Sequence, residues 1–336
     1  MPDQATPDSA TPDPKWKQYL FVACAVAAAG PWSRPDVALL AGIVLALINL
    51  SAFQAHSKKL SKVLIQVCVV ALGFRLDLAT LAHSASRGLV LAVSTIAGAL
   101  IVGLLLGKLL RSGKEVSVLI SSGTAICGGS AIAAVGASIG ASSSTMAVAT
   151  GAIFCLNAIG LWVLPWIGHA LHMTDLQFGE WAGVALHDIA TVTGAAKDYH
   201  ASLPKTLVAL DTANIVKLTR VLWIFPIALA AGRLMGSHSS SPQGSGAQGA
   251  RKAPFPWFIL LFIVASAIRT WIPAAHKLDQ TIAVDAAVGF QLALFLIGAG
   301  LHRSALAQVG WRALAQATIL WIIMASGSCI AILARG

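Results

Sequence analysis

Apolar stretches of roughly 20 residues recur from one end of this chain to the other, the length a helix needs to cross a hydrocarbon core about 30 Å thick. They occupy residues 17–32, 36–54, 62–82, 88–110, 115–139 and 144–169 in the first half, and 178–197, 211–235, 255–272, 281–301 and 313–334 in the second. With 57% hydrophobic and 11% charged residues, a chain of 336 has too little polar surface for a soluble domain. The pattern predicts an all-α polytopic membrane protein with about eleven transmembrane helices. Residues 15–336 read as a single membrane domain.

The 23 Lys and Arg against 13 Asp and Glu give a net charge of +10, which elsewhere suggests nucleic acid. Here the cations lie mostly between apolar runs and form no stripe, so topology explains them and no nucleic-acid partner is expected. With the N-terminus inside, thirteen fall in cytoplasmic loops, seven outside and three within spans. The positive-inside rule therefore favours a cytoplasmic N-terminus and an external C-terminus in a cell inner membrane. The TPDSATPDP repeat within residues 1–14 reads as a disordered tail, and the Ser/Gly-rich 237–253 as a flexible loop between spans. The five cysteines, Cys24, Cys68, Cys127, Cys155 and Cys329, lie in apolar runs without metal or redox spacing.

Within the fifth run, Ser121 to Ser130 (SSGTAICGGS) sets three glycines and four hydroxyls where a lipid-facing helix would carry apolar residues. Adjacent Gly128 and Gly129 favour unwinding, and unwound backbone at membrane depth must face protein or water. Its free N–H groups at a half-helix N-terminus suit an anion, with Thr124, Cys127, Gly128, Gly129 and Ser130 as candidate binding residues. Close helix packing through small residues explains the same composition. A second cluster, His187, Asp188 and Thr191, places ionisable groups in an apolar run. It fits proton relay, coupling or gating, unless the helix stops near Leu186 and the pair lies in an interfacial loop. A third, Asp211, Asn214, Lys217 and Arg220, recurs every three residues. Two cations there need anionic company from Asp188, Asp211 or a bound anion, or else they snorkel to water. Arg75 and Asp77, two apart, do not face each other on a helix.

Laying Gln66–Leu76 on Gln291–Leu301 superposes Gln66 on Gln291 and Gly73 on Gly298, a faint echo of inverted repeats. No nucleotide loop, HExxH or GxSxG is present, so neither ATP-driven transport nor hydrolysis is signalled.

GTAICGGSAIAAVGASI, FGEWAGVALHDIATVTGAA and ALDTANIVKLTRVLWIFP together resemble the YeiH-like sulfate exporter family, over a match running from about residue 64 to the last span. The resemblance implies a secondary transporter of inverted repeats with two crossing, discontinuous helices, here spans five and ten. It implies a small anion such as sulfate or sulfite as substrate; Lys217, Arg220 and Asn214 of the third cluster are candidate binding residues that add charge and polar contacts to the Thr124–Ser130 break. Thr191, Thr193 and Gly194 depart from the family's usual HDVAQVVAA, and Gly129 stands where many relatives carry Ala. No cofactor or metal is expected, though coupling to H+ or Na+ is compatible with His187, Asp188 and Asp211. A proton- or sodium-coupled carrier of organic anions is the alternative. An intramembrane enzyme or sensor using Cys127, His187 and Asp188 is a third reading. A homodimer joined through the more uniform apolar spans fits the sequence.

Overall fold

The computed structural model describes residues 14–30, 33–51, 53–74, 78–199, 207–235, 257–272, 279–300 and 309–335. Among these there are fourteen helices and no strands. They are α1 (Lys15–Ala28), α2 (Pro35–Leu47), α3 (Gln54–Gly73), α4 (Leu78–Leu110), α5 (Lys114–Ala125), α6 (Gly129–Ile139) and α7 (Ser143–Ala170). There follow α8 (Asp175–Ala185), α9 (Ile189–Asp198), α10 (Val208–Val221), α11 (Ile224–Met235), α12 (Trp257–Trp271), α13 (Asp279–Ala299) and α14 (Trp311–Leu333). Four stretches are long and apolar enough to cross a membrane on their own: Val90–Leu110, Ser144–Ala170, Val208–Met235 and Trp311–Leu333. The protein is a helical membrane protein. The tail before residue 14, the 237–253 loop and the Arg75–Asp77 pair lie outside the described residues.

Among the described residues two segments are interrupted by a reversal of the chain, while the eighth only steps through the two-residue turn Leu222–Trp223 between α10 and α11. The fifth breaks at Ile126–Gly128 and the seventh at Leu186–Asp188. The tenth, expected to carry the second break, is the continuous α13 over Asp279–Ala299. Its Gly298 meets the Leu39 carbonyl of α2, while Gly42 of α2 meets the Phe295 carbonyl, so these glycines let two backbones touch and do not unwind one.

Both interrupted segments double back. Phe178, near the start of α8, stacks on Tyr199, just past the end of α9, with ring centroids 3.7 Å apart. A Cβ added at Gly136 of α6 would stand 3.5 Å from Leu119 Cδ2 of α5, although 17 positions separate them in sequence. Each segment is thus a hairpin of two half-helices that enters and leaves on one side of the bundle. The half-helices are 10 to 12 residues long. At 1.5 Å per residue they reach roughly 15–18 Å, about half the hydrocarbon thickness.

Neighbouring helices show from which side each hairpin enters. Gly179 and Gly183 of α8 lie along Ala209 and Val216 of α10, so α8 and α10 run parallel from one end. Gly232, late in α11, lies against Ser138, late in α6, at the other end. Hairpin α5–α6 therefore opens on the side where α11 finishes and α8–α9 on the side where α10 begins, and their tips meet between. A Cβ on Gly128 would be 3.3 Å from His187 Cβ, which places tip against tip.

The base of the second hairpin is tied down by the Tyr199 hydroxyl, which donates to the Met173 carbonyl at 2.6 Å and approaches that of Gly168 at 3.3 Å. Thr174 and Gln177 complete a reciprocal capping box at the start of α8. Tyr199→Phe keeps the stack and strands the Met173 carbonyl, while that of Gly168 keeps the Met173 N–H at 3.0 Å. It is expected to lower stability by about 1–2 kcal/mol, read by thermal unfolding in detergent.

Candidate functional site

The α5–α6 tip turns because Gly128 adopts φ 65° and ψ −120°, a conformation natural only to glycine, after Ile126 leaves the helix at φ −120°, ψ −94°. Gly128 caps α6 without a side chain, so the Gly129 and Ser130 N–H groups have neither a helical carbonyl nor a capping oxygen. Cys127 is buried, its sulfur against the Ala131 N–H and the Ser130 hydroxyl. Gly129 is half-buried beside Phe154, while Ser130, a candidate ligand, is exposed.

The α8–α9 tip contains no glycine. Asp188 makes it by capping α9, its Oδ1 accepting from the Thr191 N–H at 2.9 Å and its Oδ2 from the Thr191 hydroxyl at 2.8 Å. Asn157 of α7 completes it: its amide Nδ2 donates to Asp188 Oδ2, while its Oδ1 accepts from the His187 N–H at 2.9 Å and faces His187 Nδ1 at 2.9 Å. The helix does stop near Leu186, as in the alternative reading, but the chain resumes helix at Ile189, so His187, 1% exposed, lies in a buried turn and not in an interfacial loop.

The every-third-residue pattern on α10 distributes its side chains over three partners. Asn214 accepts from the Thr193 hydroxyl of α9 at 2.8 Å and donates to the Leu210 carbonyl. Lys217 donates to the Leu186 carbonyl, just past the C-terminus of α8. Arg220 donates to the Ala125 carbonyl at 2.5 Å and approaches that of Thr124 at 3.4 Å, both at the C-terminus of α5, and reaches the Thr95 hydroxyl of α4 at 2.9 Å. A helix exposes its last carbonyls and a partial negative charge at its C-terminus. The two fully buried cations therefore each cap one half-helix and neither snorkels. Trp321 of α14 adds an indole N–H to the Ala185 carbonyl at 2.9 Å. Asp211 is half-buried in the first turn of α10, six residues before Lys217.

The charges at the meeting point leave a formal excess. Two half-helix N-termini and two C-termini, each equivalent to roughly half a charge, cancel. Two cations against the single carboxylate of Asp188 leave one net positive charge with His187 uncharged. Among the described residues, three buried side-chain atoms here have no hydrogen-bond partner: Thr124 Oγ1, His187 Nε2 and Arg220 Nε. Buried polar atoms are nearly always paired, so three orphans at one crossing mark a place for a polar guest.

Asn157 and Thr95 were not singled out from the sequence. Asn157 carries a legible signal, a lone amide in the apolar run IFCLNAIGLW. Thr95 carries none, because a threonine bonding back to its own helix, as Thr95 does to the Leu91 carbonyl at 2.6 Å, is ordinary in membrane helices.

A second polar cluster lies at the base of the α8–α9 hairpin. A cavity of about 270 Å³ is lined by Arg34, Asp36, Trp162, Trp166, His169 and Asp198. Arg34 lies 3.3 Å from Asp36 and 3.9 Å from Asp198. Burial and the neighbouring Asp36 raise the Asp198 carboxyl to about 6, against the pull of Arg34 and Lys197.

A family model described as conserved hypothetical protein 698 matches residues 23–317. A UPF0324 membrane protein of Porphyromonas gingivalis is 41% identical over 305 residues, covering 90% of this chain and 88% of its own. One of Bacteroides thetaiotaomicron is 40% identical over 87% of this chain and 84% of its own, and one of Bdellovibrio bacteriovorus 38% identical over 90% of each. No solved structure matches. A match this long, at this identity, is a match of the hairpins and their capping helix together, and the chain belongs to the conserved hypothetical protein 698 family, the UPF0324 membrane proteins.

Proposed function

We propose that the chain is a secondary transporter that moves a small oxyanion such as sulfate or sulfite across the cell inner membrane. The observation that carries this reading is the meeting of two hairpin tips around a formal positive charge and three unpartnered buried atoms, at a depth no aqueous ion reaches unaided. Uncapped N–H groups of α6 and the Arg220 Nε–H supply donors for an anion. The resemblance to the sulfate exporter family supports the substrate class. Lys217 and Arg220 act first on the half-helix ends, and their charge reaches a bound anion through that scaffold. Asp188, with three donors on its two oxygens, is already satisfied as a helix cap, which argues against a sodium ion bound directly to it.

Reading the two hairpins as re-entrant leaves nine crossings, still an odd number. The division of Lys and Arg is unchanged, because the loops that switch sides, 140–142 and 171–174, contain neither. The N-terminus is then cytoplasmic and the C-terminus external. A phosphatase fused after Arg335 is expected to be active and one fused at residue 245 inactive; the reverse pattern would invert the topology.

The test of function is uptake by purified protein in liposomes. Saturable accumulation of labelled sulfite or sulfate, lost in Lys217→Ala, is expected. Absence of saturable uptake of every sulfur oxyanion would remove the substrate assignment.

A further inference from the structure

The hydrogen-bond network around His187 determines which of its ring nitrogens can meet a ligand. Asn157 has one orientation only. Its Nδ2 faces the Asp188 carboxylate, an acceptor, and its Oδ1 faces the His187 backbone N–H, a donor. Exchanging the amide O and N would set acceptor against acceptor and donor against donor at once. The group facing His187 Nδ1 at 2.9 Å is therefore a carbonyl oxygen, and Nδ1 must carry the proton that bonds it. In the uncharged ring Nε2 is then a bare lone pair. That atom is buried and has no partner, in a residue whose Cβ faces Gly128 of the α5–α6 tip.

An unpaired acceptor is an unusual neighbour for an anion, because every oxygen of a fully ionised oxyanion is itself an acceptor. A second proton on the ring would remove the conflict. It would also bury a third cation beside Lys217, on the carbonyl of the preceding residue, and Arg220, on the facing tip. The remaining way to satisfy Nε2 is a ligand that brings its own proton. Thr124 Oγ1 and Arg220 Nε, the other unpartnered atoms, and the uncapped N–H groups of α6 can hold the ionised oxygens of the same ligand.

We propose that the site takes a monoprotonated oxyanion, hydrogen sulfite being the sulfur member of the class, whose single O–H donates to His187 Nε2 while its ionised oxygens face the α6 N-terminus and Arg220. The inference rests on the anion-carrier reading and narrows it. Sulfite holds a proton over part of the neutral range and sulfate does not, so the two anions separate the class. Each transport event then carries a proton together with the anion, without any residue of the chain titrating. The charged and titratable groups around the ring are Lys217 and Arg220 on α10, Asp188 in its own tip and Cys127 in the facing tip.

Two measurements on the purified full chain test this. Nitrogen-15 NMR of histidine-labelled protein, with the His187 signal identified by its loss in His187→Gln, is expected to show an uncharged ring protonated on Nδ1. A proton on Nε2, or on both nitrogens, would overturn the proposal. Equilibrium binding is expected to be several-fold tighter for sulfite at about pH 6 than at about pH 8, approaching the tenfold value of one lost hydrogen bond of about 1.4 kcal/mol as the anion passes from fully protonated to fully ionised. Sulfate is expected to bind more weakly than sulfite at the lower pH and with little change between the two. A sulfate affinity that rises in parallel as pH falls means the ring takes its proton from water, which sinks the proposal while leaving the carrier reading intact. Failure of both anions to bind at either pH overturns the carrier reading and this inference with it.

Discussion

Arg220→Ala is expected to reduce anion uptake at least ~100-fold and to lower stability by about 2–4 kcal/mol. The guanidinium is 1% exposed and holds three things at once: the Ala125 and Thr124 carbonyls that end α5, and the Thr95 hydroxyl of α4. Removing it leaves the last turn of a half-helix facing the membrane interior with unpaired carbonyls, each costing about 1–3 kcal/mol in a buried setting. Competing partners in the membrane-unfolded state bring the total towards the lower end of that sum. Uptake suffers more than stability because the formal net charge at the tips falls to zero at the same time. Arg220→Lys separates the two effects. An ammonium keeps the charge but cannot span α4 and α5 as the fork does, so it should restore part of the uptake and little of the stability. Wild-type uptake in Arg220→Ala, in protein of unchanged melting temperature, would exclude the hairpin tips as the anion's path.

Much of this arrangement was legible in the sequence, and what was not has identifiable physical reasons. The Ser121–Ser130 interruption announced itself because a tip that turns through positive φ needs glycine, and glycine is visible. The second tip is legible as polar, with a helix stop near Leu186 only as the alternative and no return into helix, because it is built by side chains. Asp188 caps α9 in ordinary extended geometry at φ −112° and ψ 158°, and Asn157 arrives from a helix 30 positions away. The break in the tenth segment is implied by the resemblance alone, and there Gly298 sits in a continuous helix and serves contact with α2. Hydropathy measures the length of an apolar run and is blind to reversal within it, so both hairpins looked like crossings. The every-third-residue pattern of Asn214, Lys217 and Arg220 was legible as polar. That each step turns to a different partner follows from the 60° rotation per step once α8, α9 and α5 are in place.

Gly128→Ala is the sharper test of the tip itself, since it adds one methyl group and changes no charge. At φ 65° and ψ −120° an L-residue is strained by about 1–3 kcal/mol. The new Cβ would also stand 3.3 Å from both His187 Cβ and Ile153 Cγ2, so the opposite tip or α7 must yield by a few tenths of an ångström. The expected result is a loss of about 2–4 kcal/mol and at least ~10-fold lower uptake. The functional loss is expected because His187, whose Nε2 is one of the unpartnered atoms, is what the methyl group displaces. Gly128→Val, with two further methyl groups in the same space, should not assemble the tip at all. Gly327→Ala is the control. It lies in α14 with nothing within 4 Å of the added Cβ, and helical propensity alone should make it neutral or stabilising by about 0.5–1 kcal/mol. A helix continuous through residues 125–129 would treat both substitutions alike. Equal melting temperatures and equal uptake for Gly128→Ala and Gly327→Ala would therefore mean that the chain does not turn at Gly128, and that the two hairpin tips do not meet there.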